Sequence, residues 1–147
     1  GFNYTLGGIV SITGYDFERV NGFPNFWGWG YEDNLLDKRV KAARIQIDRT
    51  QFYPFADKNI LQFFDGLTKN VNSDDVQRYA KNTREGWKSI QNLDYEYDAD
   101  TNMVNVTRFD TGILENKKTA FRHDLRNGST PAHGVRMGRG NTMSMVL

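Results

Sequence analysis

The sequence contains no cysteine and only two histidines, His123 and His133. The first absence excludes disulfide frameworks, thiolate zinc sites and cysteine nucleophiles. The second leaves too few imidazoles for a His-rich metal centre, and no carboxylate cluster frames either residue. Proline is scarce, at three residues in 147, and no apolar run approaches the roughly 20 residues that a membrane-crossing helix requires. The opening GFNYTLGG has neither the basic start nor the apolar stretch of a secretory signal. With 38% hydrophobic and 25% charged residues the chain is not of disordered composition, and its length suits one core rather than two.

Aromatic residues, by contrast, are abundant: three Trp, seven Tyr and ten Phe. Such density suits a well-filled core or a carbohydrate-handling surface, and alone it separates neither. The net charge of +1 conceals an asymmetry. Residues 117–147 carry Lys117, Lys118, Arg122, Arg126, Arg136 and Arg139 against Asp124, a net of +5, which leaves −4 on residues 1–116.

Along the chain, Leu6–Ile12 reads as a buried strand with a close backbone approach at Gly7 and Gly8. Thr13 is placed to cap a short helix, with Asp16 in capping-box position and Gly22 to end it. Leu35, Leu36, Val40 and Ala43 recur at helical spacing from Glu32 onward. Alternation over Ile45–Phe52 predicts a strand, and Ile60–Phe64 a second, short and buried one. Ser73 is placed to cap a third helix from Asp74 to about Ile90. Tyr95–Tyr97 and Met103–Phe109 flank the turn-rich Asp98-Ala-Asp-Thr-Asn102 and predict a hairpin. Beyond Leu114 the apolar pattern fades, so residues 117–147 read as an extended basic tail after a domain spanning 1–116. The architecture expected is α/β, with a small mixed sheet, about three helices, the C-terminal hairpin and that tail.

The informative stretch is Asn21-Gly-Phe-Pro-Asn-Phe-Trp-Gly-Trp-Gly-Tyr-Glu-Asp-Asn34. It is a loop hinged by Gly28 and Gly30 that carries two indoles, Trp27 and Trp29, directly into a helix start bearing Glu32 and Asp33. Indole faces stack on the C–H faces of sugars, glycines let backbone approach a ligand, and a neighbouring carboxylate is placed to accept a proton from a sugar hydroxyl. The same residues also admit a structural reading, with both indoles filling core space and both acids satisfying a helix N-terminus.

This pattern, with Gly7-Gly-Ile-Val-Ser11 before it, resembles the C-terminal half of the β-1,4-galactosyltransferases of glycosyltransferase family 7. The strong match runs over residues 6 to about 40 and a weaker one continues to Thr111-Gly112. The resemblance implies a partial glycosyltransferase A-type fold and a mobile lid that closes over donor and acceptor. It also implies roles: Trp29 contacting both sugars, Asp33 as general base on the acceptor hydroxyl, Glu32 holding the acceptor, and Arg78 and Tyr79 near the acceptor's N-acetyl group. The chemistry implied is inverting hexosyl transfer from a nucleotide sugar, with a divalent metal on the leaving diphosphate.

The sequence departs from the family at several points. The family's nucleotide-binding domain and its Asp-x-Asp metal motif are not found in these residues. Asp98-Ala-Asp100, the one such triplet, reads as a hairpin turn. The positions of the family's Met-x-x-His metal ligands fall at Leu61 and Phe64, neither of which can bind a hard or borderline cation. Asn34 replaces a lid acid, and Tyr31 replaces a glycine, either obstructing the cleft or adding a stacking face. No metal ligand and no cofactor are therefore assigned to this chain; manganese and a UDP-sugar are expected only with a donor domain elsewhere. Two readings stand. In one the chain is a galactosyltransferase-like domain that recognises a glycan or nucleotide sugar and is a very poor catalyst alone. In the other it is a non-catalytic subunit of a large assembly such as a virus particle, engaging a protein partner through residues 117–147. Phe121 is the tail's one aromatic, so a nucleic-acid stacking platform is not expected.

Overall fold

Helix α2, Glu32–Ala42, organises the core because two adjacent apolar residues on it serve two clusters. Leu35 joins Tyr31, Val71, Val76 and Tyr79, with Phe26, Trp29 and Phe121 packed against them. Leu36 joins Val20 and Val40, flanked by Leu6, Ile12, Ala43, Ile45 and Ile47. Both leucines are fully buried, each contributing about 1.5–3 kcal/mol of hydrophobic stabilisation. The computed structural model describes residues 4–54, 57–61, 63 and 66–127. Around α2 the other elements are α1 (Gly14–Arg19), β1 (Thr68–Asn72), α3 (Ser73–Ala80), β2 (Gln91–Asp98), β3 (Met103–Asp110) and β4 (Ala120–Asp124).

Three helices and a hairpin are the α/β content that the sequence predicts. The Thr13 hydroxyl accepts the Asp16 amide at 3.0 Å and donates to the Asp16 carboxylate at 2.9 Å, a reciprocal cap. Strands β2 and β3 pair antiparallel around residues 99–102, where Asp98 accepts the Asp100 amide and the Thr101 hydroxyl.

Several expectations are corrected. Among the described residues the strands form two separate two-stranded antiparallel ladders, β1–β4 and β2–β3, rather than one mixed sheet. Leu6–Ile12 is irregular and largely exposed, since its backbone finds no ladder and only Leu6 and Ile12 reach the core. Residues 45–50 alternate between half-buried and exposed side chains, with Ile45 and Ile47 inward, but Gln51 and Phe52 are both exposed and no described strand pairs with the segment. Ile60, Leu61 and Phe63 belong to no strand, and Leu61 and Phe63 are exposed; positions 62 and 64 lie outside the described residues. Helix α3 stops at Ala80 rather than near Ile90, because Asn82 turns left-handed (φ 50°) and the chain doubles back. Its cap is Asn72, whose side chain accepts the Asp74 amide at 2.9 Å, one residue before the expected Ser73. In the segment expected as tail, residues 120–124 form β4, running from Asn72 opposite Ala120 to Thr68 opposite Asp124. Residues 128–147, including His133, lie outside the described residues.

Candidate functional site

The aromatic loop has no regular structure, yet its backbone is held at almost every residue. Asp75, buried on α3, accepts the amides of both Trp27 and Gly28 at 2.7 Å through one oxygen. The Trp29 amide donates to the Asn70 carbonyl of β1 at 2.7 Å. Gly28 packs so closely on β1 that a Cβ there would lie 2.4 Å from the Asn72 nitrogen. Upstream, Asn21 donates to the Arg84 carbonyl at 2.8 Å and accepts the Lys88 amide at 3.0 Å, while Asn25 donates to Gly86 and Ser89. The Arg39 guanidinium on α2 completes the clamp, donating to the carbonyls of Asn21, Gly22, Thr83 and Glu85. Burial lowers its pKa, with the Glu85 charge acting in the opposite sense.

On this frame the two indoles differ. Trp27 is 45% exposed, whereas Trp29 is half-buried against the Tyr31–Leu35–Val71 cluster. Tyr31 occupies a left-handed position (φ 71°) at the start of α2, and its ring stacks on Tyr79 with centroids 4.6 Å apart. The Lys38 ammonium sits 3.9 Å from the Tyr79 ring centroid. Burial, reinforced by the Tyr79 charge, pushes the Tyr31 phenol up to about 12, and its hydroxyl has no hydrogen-bond partner among the described residues. Tyr31 thus adds bulk to the core rather than an open stacking face.

The two carboxylates at the start of α2 are differently held. Glu32 accepts the Gly30 amide at 3.0 Å. Burial raises its pKa against the backbone amide bonds that favour the charged form, and the negative charges of Asp33 and Asp75 raise it further. Asp33 takes the Thr5 hydroxyl on Oδ2 at 2.7 Å and the Asn34 amide on Oδ1 at 2.8 Å. Gly7 presses against it: a Cβ there would lie 2.1 Å from Asp33 Oδ2. The glycine that the pattern marks for close approach therefore faces a carboxylate, not a neighbouring strand. Asn34, where the family has an acid, is buried and donates to the Tyr4 carbonyl at 3.0 Å.

Trp27, Gly28, Trp29, Gly30, Tyr31, Glu32 and Asp33 are brought together by the loop itself. Arg78 and Tyr79 join them through α3, but their polar and aromatic faces meet the protein. Arg78 binds Asp75 at 2.5 Å, Glu85 through two nitrogens, and the Asn25 carbonyl at 2.8 Å. Sequence reasoning missed Asp75, Arg39, Thr5 and the 83–89 segment. The available signal was the two asparagines of the NGFPN motif, residues that fix loop backbones through their amides. Asp75 gave no separate signal, since an acid in a helix's first turn is ordinary.

The donor set for a divalent cation does not fit. Among the described residues no three His, Cys, Asp or Glu side chains converge. Leu61, at an expected ligand position, offers only hydrocarbon, and Phe64 lies outside the described residues. Asp98 and Asp100 sit at the hairpin turn, with Asp98 bound to Asp100 and Thr101. No step is therefore routed through a metal on these residues.

Comparison with known proteins follows the same stretch. A family model described as the N-terminal domain of galactosyltransferase matches residues 2–62. The matched residues include the aromatic loop, residues 21–34. Beta-1,4-galactosyltransferase 5 of Sus scrofa is 34% identical over 95 residues, covering 64% of this chain and 24% of that protein. The Mus musculus form is 35% identical over 99 residues, covering 64% and 25%. Beta-1,4-galactosyltransferase 6 of Homo sapiens is 34% identical over 91 residues, covering 61% and 24%. The chain thus spans about a quarter of the length of these relatives. No solved structure matches. The chain carries a galactosyltransferase-like region of the family 7 type.

Proposed function

We propose that this galactosyltransferase-like region binds a sugar, as a free glycan or nucleotide sugar, on the wall formed by Trp27 and Trp29 beside Glu32 and Asp33. One observation carries the reading: the indole of Trp27 stays exposed while its own amide and both following amides are fixed. A solvent-facing indole on a fixed backbone has less freedom to lose on stacking with a sugar face, which supports binding over packing. Asp33 accepts one hydrogen bond on each oxygen and retains lone pairs for a sugar hydroxyl. In a transfer reaction that contact would draw the hydroxyl proton to Asp33 as the oxygen attacks. In this reading the described residues alone make a weak catalyst, because no three metal-ligating side chains converge among them to carry a cation for a departing diphosphate, and each 1.36 kcal/mol of lost transition-state stabilisation costs about tenfold in rate.

Tryptophan fluorescence during titration with N-acetylglucosamine, and separately with UDP-galactose and manganese, tests the reading. Quenching is expected to vanish in Trp27→Ala, to weaken in Trp29→Ala and to persist in Trp87→Phe. A flat titration of the unsubstituted protein, or quenching that follows Trp87, overturns it. Where transfer is measurable, Asp33→Asn is expected to abolish product.

A further inference from the structure

The half-buried alternation that begins at Ile45 does not end on an apolar residue. Ile45 and Ile47 pack against the Leu36 cluster, and the next half-buried position in the alternation is Arg49. Its Nη2 donates to the Thr5 carbonyl at 3.1 Å and to Asp37 Oδ1 at 3.2 Å. Asp37, on α2, is 2% exposed and also accepts Lys41 Nζ at 2.6 Å. A carboxylate taken out of water beside two cations adds little net stability, since its desolvation offsets much of the attraction. What the contact does fix is position: one guanidinium nitrogen joins α2 to the backbone of residue 5.

Neighbouring contacts hold the same short segment against the start of α2. Asn34 donates to the Tyr4 carbonyl at 3.0 Å, the Leu6 amide donates to the Asp33 carbonyl at 3.3 Å, and Leu6 packs against the Leu36 cluster. Between these anchors the Thr5 hydroxyl accepts the Gly7 amide at 3.1 Å, which leaves its proton to donate to Asp33 Oδ2 at 2.7 Å. Among the described residues this is the one hydrogen bond that the Asp33 carboxylate receives from outside its own helix.

We infer that Arg49 and Thr5 are positioning residues for the sugar-contacting carboxylate. Arg49, tethered by Asp37, sets the backbone of residue 5, and the Thr5 hydroxyl then sets the orientation of Asp33. The inference rests on the sugar-binding reading of Asp33 and adds how that acid is aimed. With both oxygens held, the carboxylate rotates little, so the lone pairs left for a sugar hydroxyl keep a set direction.

Tryptophan fluorescence of the full chain during titration with N-acetylglucosamine tests the linkage through a double-mutant cycle. Thr5→Val keeps the side-chain shape and the carbonyl that Arg49 binds, and is expected to weaken binding by about three- to tenfold. Thr5→Ser returns the hydroxyl and is expected to restore affinity. Arg49→Met is expected to weaken binding as Thr5→Val does. Arg49→Lys keeps a cation beside Asp37, so it is expected to fold even where Arg49→Met does not, and to bind with intermediate affinity. In an Asp33→Ala background, itself weaker but still quenched through Trp27, neither Thr5→Val nor Arg49→Met is expected to weaken binding further. Equal weakening with and without Asp33 marks a general loss of structure and overturns the inference. Affinity unchanged in Thr5→Val, or in both Arg49 variants, overturns it while leaving the sugar-binding reading in place. A flat titration of the unsubstituted protein overturns both.

Discussion

The aromatic loop and the β2–β3 hairpin invert the usual association of regular structure with fixity. The hairpin has a regular ladder from Tyr95 to Asp98, with register shifts on both sides of Asp94, yet no side chain on it is buried. The loop has no ladder, yet its amides are taken by a buried carboxylate and a strand carbonyl, and its upstream carbonyls by one guanidinium. What fixes a segment here is where its polar groups end, not whether they repeat. A loop that must present indoles in a set direction is built from long-range polar anchors. A ribbon whose backbone groups are satisfied by its own partner strand needs no polar anchor from the core.

The largest expected effect breaks the loop's side of this contrast. Asp75→Ala removes the acceptor of two amides and leaves Arg78 without one of its partners, so urea denaturation should show a loss of about 3–5 kcal/mol. A loss below about 1 kcal/mol would mean that the loop is held elsewhere. Next come the two indoles: Trp29→Ala should cost about 2 kcal/mol, and Trp27→Ala no more than about 0.5. Equal costs would erase the distinction between a packed and a presented tryptophan.

Two smaller effects contrast a half-buried acid with an exposed one. Glu32 is raised chiefly by burial, so its ionisation opposes folding at neutral pH, and that penalty is relieved as pH falls through its folded pKa toward the unfolded value. Glu32→Gln should therefore stabilise slightly at pH 7 and lose this advantage in acid, measurable as a difference in melting temperature. Asp98, on the hairpin turn, is lowered by the Thr101 hydroxyl first and the Asp100 amide second. Its contribution is present above the unfolded carboxylate value and fades as pH falls through the folded one. NMR titration of Thr101→Ala should move the Asp98 pKa upward with no change at Glu32.

Elements set by local chemistry were legible in the sequence. Thr13 with Asp16, the Leu35–Leu36–Val40 spacing and the Asp98–Asn102 turn each specify an element within a few residues. The β1–β4 ladder was not legible, because TKNVN and AFRHD are short and largely polar and pair across about fifty residues. The alternation from Ile45 marked burial as far as Thr50 without a partner strand and failed at Gln51 and Phe52, since period-two exposure needs only one apolar surface and lasts only as long as that surface does. At the site, the indoles and paired acids stood out by composition. Asp75 and Arg39 did not, because a buried carboxylate and a carbonyl-capping guanidinium look, in sequence, like any surface charge on a helix.

The contact between Gly7 and Asp33 carries one more consequence. The carboxylate rests where a methyl group would otherwise be, with the hydroxyl of Thr5 steadying it from the same short segment. A saturation screen across positions 7–11 should find Gly7 intolerant through this contact, Gly8 restricted by its left-handed backbone (φ 82°), and the exposed positions 9–11 permissive. Even alanine at Gly7 would evict the acid without touching the loop that carries the indoles, separating loss of proton acceptance from loss of stacking in a single substitution.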